Sequence, residues 1–355
     1  MTTTTNTRTA AAADAEPELP TGKVLVGDAV QRLRELADHS VDTVITSPPY
    51  FRLRNYGVAG QIGLEESVDE WVAKLRAVLT EVARVLKPEG SVWLNLGDRY
   101  SRRAAQGAAP KGLVLAPERL LLALETDGWS VRNKVVWAKP NGLPSSVKDR
   151  LTNTWEPVYL LTRSPSYFFD LDAIRIPPVS KLNGPSIVSK HAKYSASRGV
   201  RPAWSGPEAG VNTGLDAMKA RGETSHRLGK NPGDWWIVPT ASYRGEHFAT
   251  FPKGLIERPI KATCPERVCA TCGTAWRRLQ AGPAIGSVAV LGALRKSCGC
   301  DDRSHRPGLV LDPFFGAGTV GVVAEKLSRR WIGIELNPTY ADLARQRIAA
   351  AGGQV

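Results

Sequence analysis

The chain has 355 residues, of which 42% are hydrophobic, and its formal net charge is +13 with a pI near 9.7. This length allows a sizeable core, formed by two domains or by one domain with insertions. No apolar run approaches the length of a membrane span, which argues against a membrane-spanning protein. The positive charge favours a polyanionic partner such as nucleic acid, although a soluble protein whose basic surface binds nothing would show the same charge.

Residues 1–20 form a Thr- and Ala-rich tract without the hydrophobic segment of a signal peptide. We expect a disordered tail there and a cytoplasmic protein. Short apolar runs then alternate with helical patterns as far as about residue 176, which predicts an α/β fold with a parallel sheet. Asp28 lies at the first strand-to-helix turn, where it either caps the helix or binds a polar edge of a ligand.

The most informative stretch of this half is Ser47-Pro48-Pro49-Tyr50, which follows a buried strand pattern at residues 41–45. Because two prolines cannot continue a sheet ladder, the chain must turn sharply as the strand ends. The turn places a hydroxyl, proline-fixed carbonyls and an aromatic ring at the carboxyl end of a strand, where ligands bind in open α/β sheets. Taken alone, the same turn is also typical of an ordinary strand exit.

Two further segments are basic and rich in glycine. Residues 51–64 lie beside the Pro-Pro turn and are suited to closing over a substrate. Residues 177–244 combine Gly, Ser, Pro and basic side chains with interspersed aromatics, a composition that suits phosphates and unstacked bases. For residues 181–230, a solvated linker is the competing interpretation.

Four of the five cysteines fall in two tight turns, Cys269-Ala-Thr-Cys272 and Cys298-Gly-Cys300. Four thiolates match the ligand number of a structural zinc site, and clustering in a reducing compartment favours metal over disulfides. Cys-x-Cys is a less usual second turn than Cys-x-x-Cys, so the fifth cysteine, Cys264, stays open as a ligand. A coincidental cluster of reduced cysteines is the alternative.

A glycine loop, Pro313-Phe314-Phe315-Gly316-Ala317-Gly318-Thr319, follows a strand pattern that ends at Asp312. A helical pattern and a second strand pattern come next, and that strand ends at Glu335. The glycines let the backbone approach a ligand, and Glu335 is placed like the acidic residue that binds ribose in Rossmann units. Since a carboxylate such as Asp312 suits a cationic head, the pattern predicts a nucleoside site for S-adenosylmethionine (AdoMet).

Together the two motifs resemble those of the amino-methylating DNA methyltransferases, which methylate cytosine N4 or adenine N6. Ser47-Pro48-Pro49-Tyr50 is similar to their catalytic motif D/N/S-P-P-Y/F/W, and Asp312–Thr319 is similar to their AdoMet motif D-P-F-x-G-x-G-T. The catalytic motif comes first, as in the permuted beta group, and the resemblance covers about residues 22–176 and 245–350. It implies a Rossmann-like methyltransferase sheet with helices on both faces and double-stranded DNA as partner. It leaves open a cognate restriction endonuclease as a second partner.

The resemblance also implies roles for single residues. It places Asp28 at the adenine, Glu335 at the ribose and Asp312 at the ammonium end of AdoMet, with Phe251 in a segment, 247–252, that covers the methionine end. The other expected AdoMet contacts are Pro313, Phe314, Gly316, Gly318 and Thr319. Family members run from a Cys-Pro pair directly into the AdoMet motif, so residues after Cys264-Pro265 are an insertion and Cys264 is not an expected ligand. The expected metal ligands are Cys269, Cys272, Cys298 and Cys300.

These assignments predict six segments. They are a disordered tail (1–20), a catalytic half (21–176), a target-recognition region (177–244), an AdoMet-covering segment (245–263), a zinc-ribbon-like insertion (264–306) and an AdoMet-binding half (307–355).

The chemistry of such an enzyme suits the catalytic motif. An aromatic amino group is a poor nucleophile because its lone pair is delocalised into the ring. Hydrogen bonds from it to Ser47 and to the Pro48 carbonyl free that lone pair and stabilise the developing charge, while Tyr50 stacks on a flipped base. Ser at the first position favours cytosine N4, with adenine N6 as the alternative because Ser accepts from either amino group. An RNA methyltransferase and an inactive zinc-ribbon DNA-binding protein on a methylase scaffold are the remaining alternatives.

Overall fold

The structure is a computed structural model that describes residues 21–142, 144–177, 226–240, 251–279 and 290–353. Its strands are β1 (Lys23–Val26), β2 (Val41–Thr46), β3 (Leu86–Asn95), β4 (Ser130–Ala138), β5 (Trp155–Thr162), β6 (Trp235–Ile237), β7 (Val268–Cys269), β8 (Arg277–Arg278), β9 (Leu294–Arg295), β10 (His305–Arg306), β11 (Leu309–Asp312) and β12 (Arg330–Glu335). Eight of them form one central sheet in the order β1-β12-β11-β2-β3-β5-β4-β6.

Helices cover both faces of this sheet, as the sequence predicted. They are α1 (Ala29–Arg34), α2 (Val68–Val85), α3 (Ala116–Thr126), α4 (Lys253–Thr263), α5 (Thr319–Lys326) and α6 (Pro338–Ala350). One apolar cluster joins α1, α2 and α3 to one face, and a second joins α4, α5 and α6 to the other. Within the described residues, no helix is long and apolar enough to span a membrane.

Local sequence accounts for the ends of the two long helices. The Ser67 hydroxyl caps α2 by accepting from the Glu70 N–H at 3.3 Å. Asn337 caps α6 by accepting from the Thr339 N–H at 3.0 Å, and Pro338 occupies the first helical position as predicted.

The prediction of a purely parallel sheet is wrong for β5, which pairs antiparallel with both β3 and β4. The other pairs of the central sheet are parallel. Residues 139–154 leave β4 and enter β5 at the same edge of the sheet, with no helix among those described. Without a crossover to the opposite edge, the two strands can pair only in antiparallel fashion.

The sheet also extends into the segment predicted for target recognition, residues 177–244. Trp235 and Trp236 lie on β6, which pairs with β4 at the edge of the sheet. Trp236 is buried against Trp93, with ring centroids 5.8 Å apart. This tryptophan therefore belongs to the core, and not to a surface that binds bases.

The central pairing of the fold brings distant parts of the chain together. β2 lies directly beside β11 in parallel, with Val44 opposite Leu311. β12 flanks β11 on its other side, and β1 flanks β12. The loops that follow these four strands consequently leave the same edge of the sheet.

The cysteine-containing insertion packs at the opposite edge, where β2 and β3 begin. Lys87 bridges the two parts, since its ammonium lies 2.6 Å from Asp42 Oδ1 and 3.1 Å from the Gly273 carbonyl. A second ion pair, almost fully buried, joins Arg278 to Asp170 at 2.8 Å. The insertion is thus anchored to the sheet by charged contacts, far from the loops at the other edge.

Phe315 offers a test of how the glycine loop is anchored. Its ring is 3% exposed and stacks on Trp331, with centroids 5.3 Å apart. We expect Phe315→Ala to lower the free energy of unfolding by about 3 to 5 kcal/mol, because it leaves a cavity in the core. Phe314→Ala, at a half-buried position, serves as the control and should cost about 1 kcal/mol. Urea unfolding curves measure both values, and equal losses would contradict the anchoring role.

Candidate active site

A cavity with about 870 Å³ of empty space, open to solvent, lies at the edge where β1, β2, β11 and β12 end. This volume falls in the range of small-molecule and cofactor sites. The expected site residues that line it are Asp28, Ser47, Pro49, Phe251, Pro313, Phe314, Gly316, Thr319 and Glu335. Pro48, Tyr50, Asp312 and Gly318 are not part of the lining. The Ser47 hydroxyl and the glycine loop therefore share one cavity.

One hydrogen bond joins the two halves of the site. Thr46, the last residue of β2, donates its hydroxyl to Asp312 Oδ1 at 2.7 Å, and the Phe314 N–H donates to the same oxygen at 3.0 Å. Burial raises the pKa of the Asp312 carboxyl to about 7, while these two hydrogen bonds act in the opposite direction. Asp312 therefore holds the ends of β2 and β11 together. Thr46 was not among the expected site residues.

Glu335 holds the glycine loop from the neighbouring strand. Its carboxylate accepts from the Gly316 N–H at 2.7 Å and from the Asn337 N–H at 2.8 Å. Burial raises the pKa of Glu335, and the backbone hydrogen bonds oppose that rise. Gly316 has φ of 51°, in the left-handed region that glycine adopts without a side-chain penalty. Each carboxylate oxygen keeps a second lone pair, so Glu335 can also accept from a hydroxyl in the cavity.

The second glycine of the loop has a packing role. Gly318 has φ of 72°, and a Cβ placed there would lie 2.9 Å from the Ala344 Cβ in α6. Gly318 therefore lets α5 begin in close contact with α6. The two phenylalanines also differ, because Phe315 is buried on Trp331 while Phe314 is half-buried and lines the cavity.

Asp28 combines both roles that were considered for it. Its Oδ1 accepts from the Gln31 N–H at 3.1 Å as the cap of α1, and the residue also lines the cavity. Tyr56 and Tyr340, which the sequence did not single out, complete this wall. Their rings meet edge to face with centroids 6.5 Å apart. The contact brings the basic segment 51–64 against the start of α6, so this segment covers the cavity.

A polar network lies next to the cavity, around the catalytic motif. The Ser47 hydroxyl lies 3.2 Å from the Tyr50 hydroxyl, which in turn lies 2.9 Å from Asn95 Oδ1 and 2.9 Å from Glu156 Oε2. Lys139 donates to the other oxygen of Glu156. Sequence reasoning missed Asn95, Lys139 and Glu156. Each is a polar residue at the end of an apolar strand, and the antiparallel direction of β5 brings Glu156 to the same edge as the other two.

Packing holds the catalytic turn in place. A Cβ on Gly97 would collide with Tyr50 Cε2, so the Tyr50 ring rests directly on the backbone. Burial, and next the Glu156 carboxylate, raise the pKa of Tyr50 well above its usual value. The Trp71 indole N–H donates to the Pro49 carbonyl at 2.9 Å. Because the Pro49 carbonyl is engaged in the core, Pro48 is the better candidate to accept from a substrate.

Exposed cations lie beside this network, in the loops that follow β3 and β4. The Arg150 guanidinium lies 3.7 Å from the centre of the Tyr100 ring, which joins the two loops. Arg102, Arg103 and Lys148 are exposed on the same loops. Most of the predicted target-recognition region, residues 178–225 and 241–250, lies outside the described residues, as do His247–Thr250 of the expected AdoMet-covering segment.

The four expected metal ligands come together at the opposite edge of the sheet. The Sγ atoms of Cys269, Cys272, Cys298 and Cys300 all lie within 4.8 Å of one another. Four sulfurs bound to one zinc at about 2.3 Å each would be separated by distances within that limit, so the donor set suits this metal. Cys264 lies apart in the core, fully buried, and burial raises the pKa of its thiol. Its exclusion from the cluster agrees with the expectation from the sequence.

Comparison with known proteins agrees with this geometry. The family model N6_N4_Mtase, described as a DNA methylase, matches residues 41–346. The type II methyltransferase M.Cfr9I of Citrobacter freundii is 33% identical over 353 residues, which cover 93% of this chain and 89% of the relative.

Two solved structures share the fold. The PvuII DNA methyltransferase (cytosine-N4-specific) has a TM-score of 0.53 and 19% identity, and covers 94% of this chain and 97% of its own. TTHA0409, a DNA modification methylase from Thermus thermophilus complexed with S-adenosyl-L-methionine, has a TM-score of 0.50 and 21% identity, with 93% of each chain covered. The Rossmann-like methyltransferase sheet expected from the sequence is thus confirmed. The chain belongs to the N6/N4 DNA methylase family and is an AdoMet-dependent DNA methyltransferase.

Proposed function

We propose that this enzyme methylates the exocyclic amino group of a flipped base in duplex DNA, and that the base is cytosine, modified at N4. The observation that carries the proposal is the Thr46–Asp312 hydrogen bond between paired strands, which sets Ser47 on the wall of the cofactor cavity. A donor in the cavity and an amino group at Ser47 would then lie within one nucleotide's width. Such placement supplies much of the rate enhancement in a displacement between two bound reactants.

The residues of the cavity suit AdoMet, which when bound supplies an electrophilic methyl group on its sulfonium. Asp312 is assigned to the cationic ammonium end, Glu335 to the ribose hydroxyls and Asp28 to the adenine. Pro313, Phe314 and Phe251 provide apolar walls, Gly316 allows close approach of the backbone, and Thr319 lies at the start of α5. Gly318 acts indirectly, through the packing of that helix.

At the catalytic turn, Ser47 and the Pro48 carbonyl accept the hydrogens of the target amino group. This draws its lone pair out of the aromatic ring and stabilises the positive charge that develops on nitrogen. Tyr50 supplies an aromatic surface for the flipped base. Ser at the first motif position favours cytosine, and adenine N6 is the alternative because a hydroxyl accepts equally from that amino group.

The other finer assignments are proposals of the same kind. Residues 177–244 outside β6 read the target sequence, and the exposed cations of the loops after β3 and β4 contact the DNA backbone. We place the enzyme in the cytoplasm, together with a cognate restriction endonuclease that cuts the same unmethylated site.

Nucleoside analysis of methylated DNA tests the function. Incubating the protein with tritiated AdoMet and unmethylated genomic DNA should yield labelled N4-methylcytosine, whereas duplex RNA should remain unlabelled. We expect Ser47→Ala to lower turnover by about 100-fold, because one acceptor to the reacting nitrogen is lost, with AdoMet affinity unchanged. Labelled N6-methyladenine would overturn the choice of base, and the absence of label in DNA would overturn the proposed reaction. Full turnover of Ser47→Ala would refute the role of its hydroxyl.

AdoMet affinity should depend on pH through Asp312. Its pKa is about 7 in the cavity without ligand, and an ammonium group binds better to the ionised carboxylate. Affinity should therefore be fully present above pH 7 and fall as pH drops below it, approaching tenfold per pH unit. Calorimetric titration between pH 6 and 8 measures the effect. The matched variant Asp312→Asn should bind more weakly and without this component of the pH dependence, and an identical pH profile in both proteins would contradict the assignment.

We also propose that Cys269, Cys272, Cys298 and Cys300 bind one structural zinc ion. The support is the mutual proximity of the four sulfurs. Elemental analysis should find about one zinc per chain, as in four-thiolate sites. Cys298→Ser should lower this content and the thermal stability, while Cys264→Ser should keep the zinc because that thiol lies outside the cluster. Wild-type protein that is folded and metal-free would end this proposal.

A further inference from the structure

The Ser47 hydroxyl is the first member of an ordered chain of hydroxyl groups. Ser47 Oγ donates to Tyr50 Oη at 3.2 Å, and Tyr50 Oη donates to Glu156 Oε2 at 2.9 Å. Both hydrogen bonds point away from the position assigned to the target amino group. A carboxylate, the strongest proton acceptor of the three groups, is the last member of the chain.

Glu156 occupies this place because β5 runs antiparallel to its neighbours. The residue lies near the start of β5, opposite Trp137 of β4, and its side chain is 21% exposed. Among the described residues, the titratable groups in contact with Glu156 are Tyr50 and Lys139. The amide of Asn95 also donates to Oε2, at 3.3 Å. The Lys139 ammonium, held over the Trp137 ring, balances the negative charge of the carboxylate.

The proposed reaction needs a proton acceptor at this location. When the methyl group arrives, the target nitrogen holds two hydrogens and a positive charge, and one proton must leave to give the neutral product. A serine hydroxyl can accept that proton only if it passes its own proton on. General-base groups of this kind contribute about 100-fold or more to enzymatic rates.

Resting on the proposed function, we propose that Ser47, Tyr50 and Glu156 form a proton relay that takes the surplus proton from the methylated amino group. The N–H bond breaks and its electron pair stays on nitrogen, while the proton moves to Ser47 Oγ. The Ser47 proton moves to Tyr50 Oη, and the Tyr50 proton moves to Glu156 Oε2. Both hydroxyls end neutral, and Glu156 ends protonated and returns the proton to water through its exposed side.

Two observations favour a relay over a simple anchor for Tyr50. The ring already rests on Gly97, and Asn95 Oδ1 already lies within hydrogen-bond distance of the hydroxyl, so a carboxylate is not required for positioning. In addition, the raised pKa of Tyr50 keeps the phenol protonated at neutral pH, so that it passes one proton on as it receives another.

Single-turnover methylation of DNA tests the relay. Glu156→Gln keeps an oxygen that accepts from Tyr50 but does not take up a proton. We expect its methyl-transfer rate to fall about 100-fold, with Kd values for DNA and AdoMet within about twofold of wild type. Tyr50→Phe, which keeps an aromatic ring, should show a similar fall, and the double variant should fall no further because both changes break one path. Glu118→Gln is the matched control, since Glu118 forms a comparable contact with Lys134 and Tyr159 away from Ser47.

The outcomes separate the relay from the proposed function. If wild type methylates DNA and either Glu156→Gln or Tyr50→Phe keeps its rate within about twofold, the relay is wrong and the methyltransferase assignment stands. Equal loss in Glu118→Gln would likewise overturn the relay, because the effect would then be general. If Glu156→Gln does not fold, as judged by AdoMet binding, Tyr50→Phe decides. A wild-type enzyme that transfers no methyl group to DNA would instead refute the proposed function.

Discussion

The structure depends on the pairing of β2 with β11, which side chains reinforce at both ends. At the carboxyl ends, the Thr46 hydroxyl donates to Asp312, and at the amino ends, Asp42 accepts from the Leu309 N–H at 2.8 Å. These bonds join segments more than 260 residues apart in the chain. Because the ends of both strands are fixed, the loops that follow them cannot move independently. The proposed methyl donor and acceptor sites are therefore built on one rigid unit.

The edge of the sheet concentrates polar groups that local sequence keeps apart. Parallel strands deliver their carboxyl ends to one edge, where ligands bind in such sheets. β5 runs the opposite way and adds its amino end, with Glu156, to the same edge. Burial in this setting raises the pKa of Asp312, Glu335 and Tyr50, which holds these groups near or in their neutral forms until a charged ligand arrives.

The two edges of the sheet have separate tasks. The cofactor cavity lies at one edge, and the cysteine cluster lies at the other, beyond Lys87 and Asp42. Lys87 contacts both Asp42 and the Gly273 carbonyl, so the insertion is connected to the start of β2. A metal at the four thiolates would therefore act on the stability of the sheet, and not on the chemistry at the Ser47 hydroxyl.

The sequence by itself determined the α/β class, most strand and helix positions, the two motifs and the grouping of four cysteines, because each rests on periodicity or on residues close in the chain. Only the tertiary structure decided which polar groups meet. Thr46, Asn95, Lys139 and Glu156 were missed because their partners lie up to 266 residues away and because the direction of β5 is not encoded in its apolar pattern. Gly318 and Trp236 were expected to contact ligands, yet both pack in the core. Local sequence sets what a residue can do, whereas the fold sets which groups it can reach.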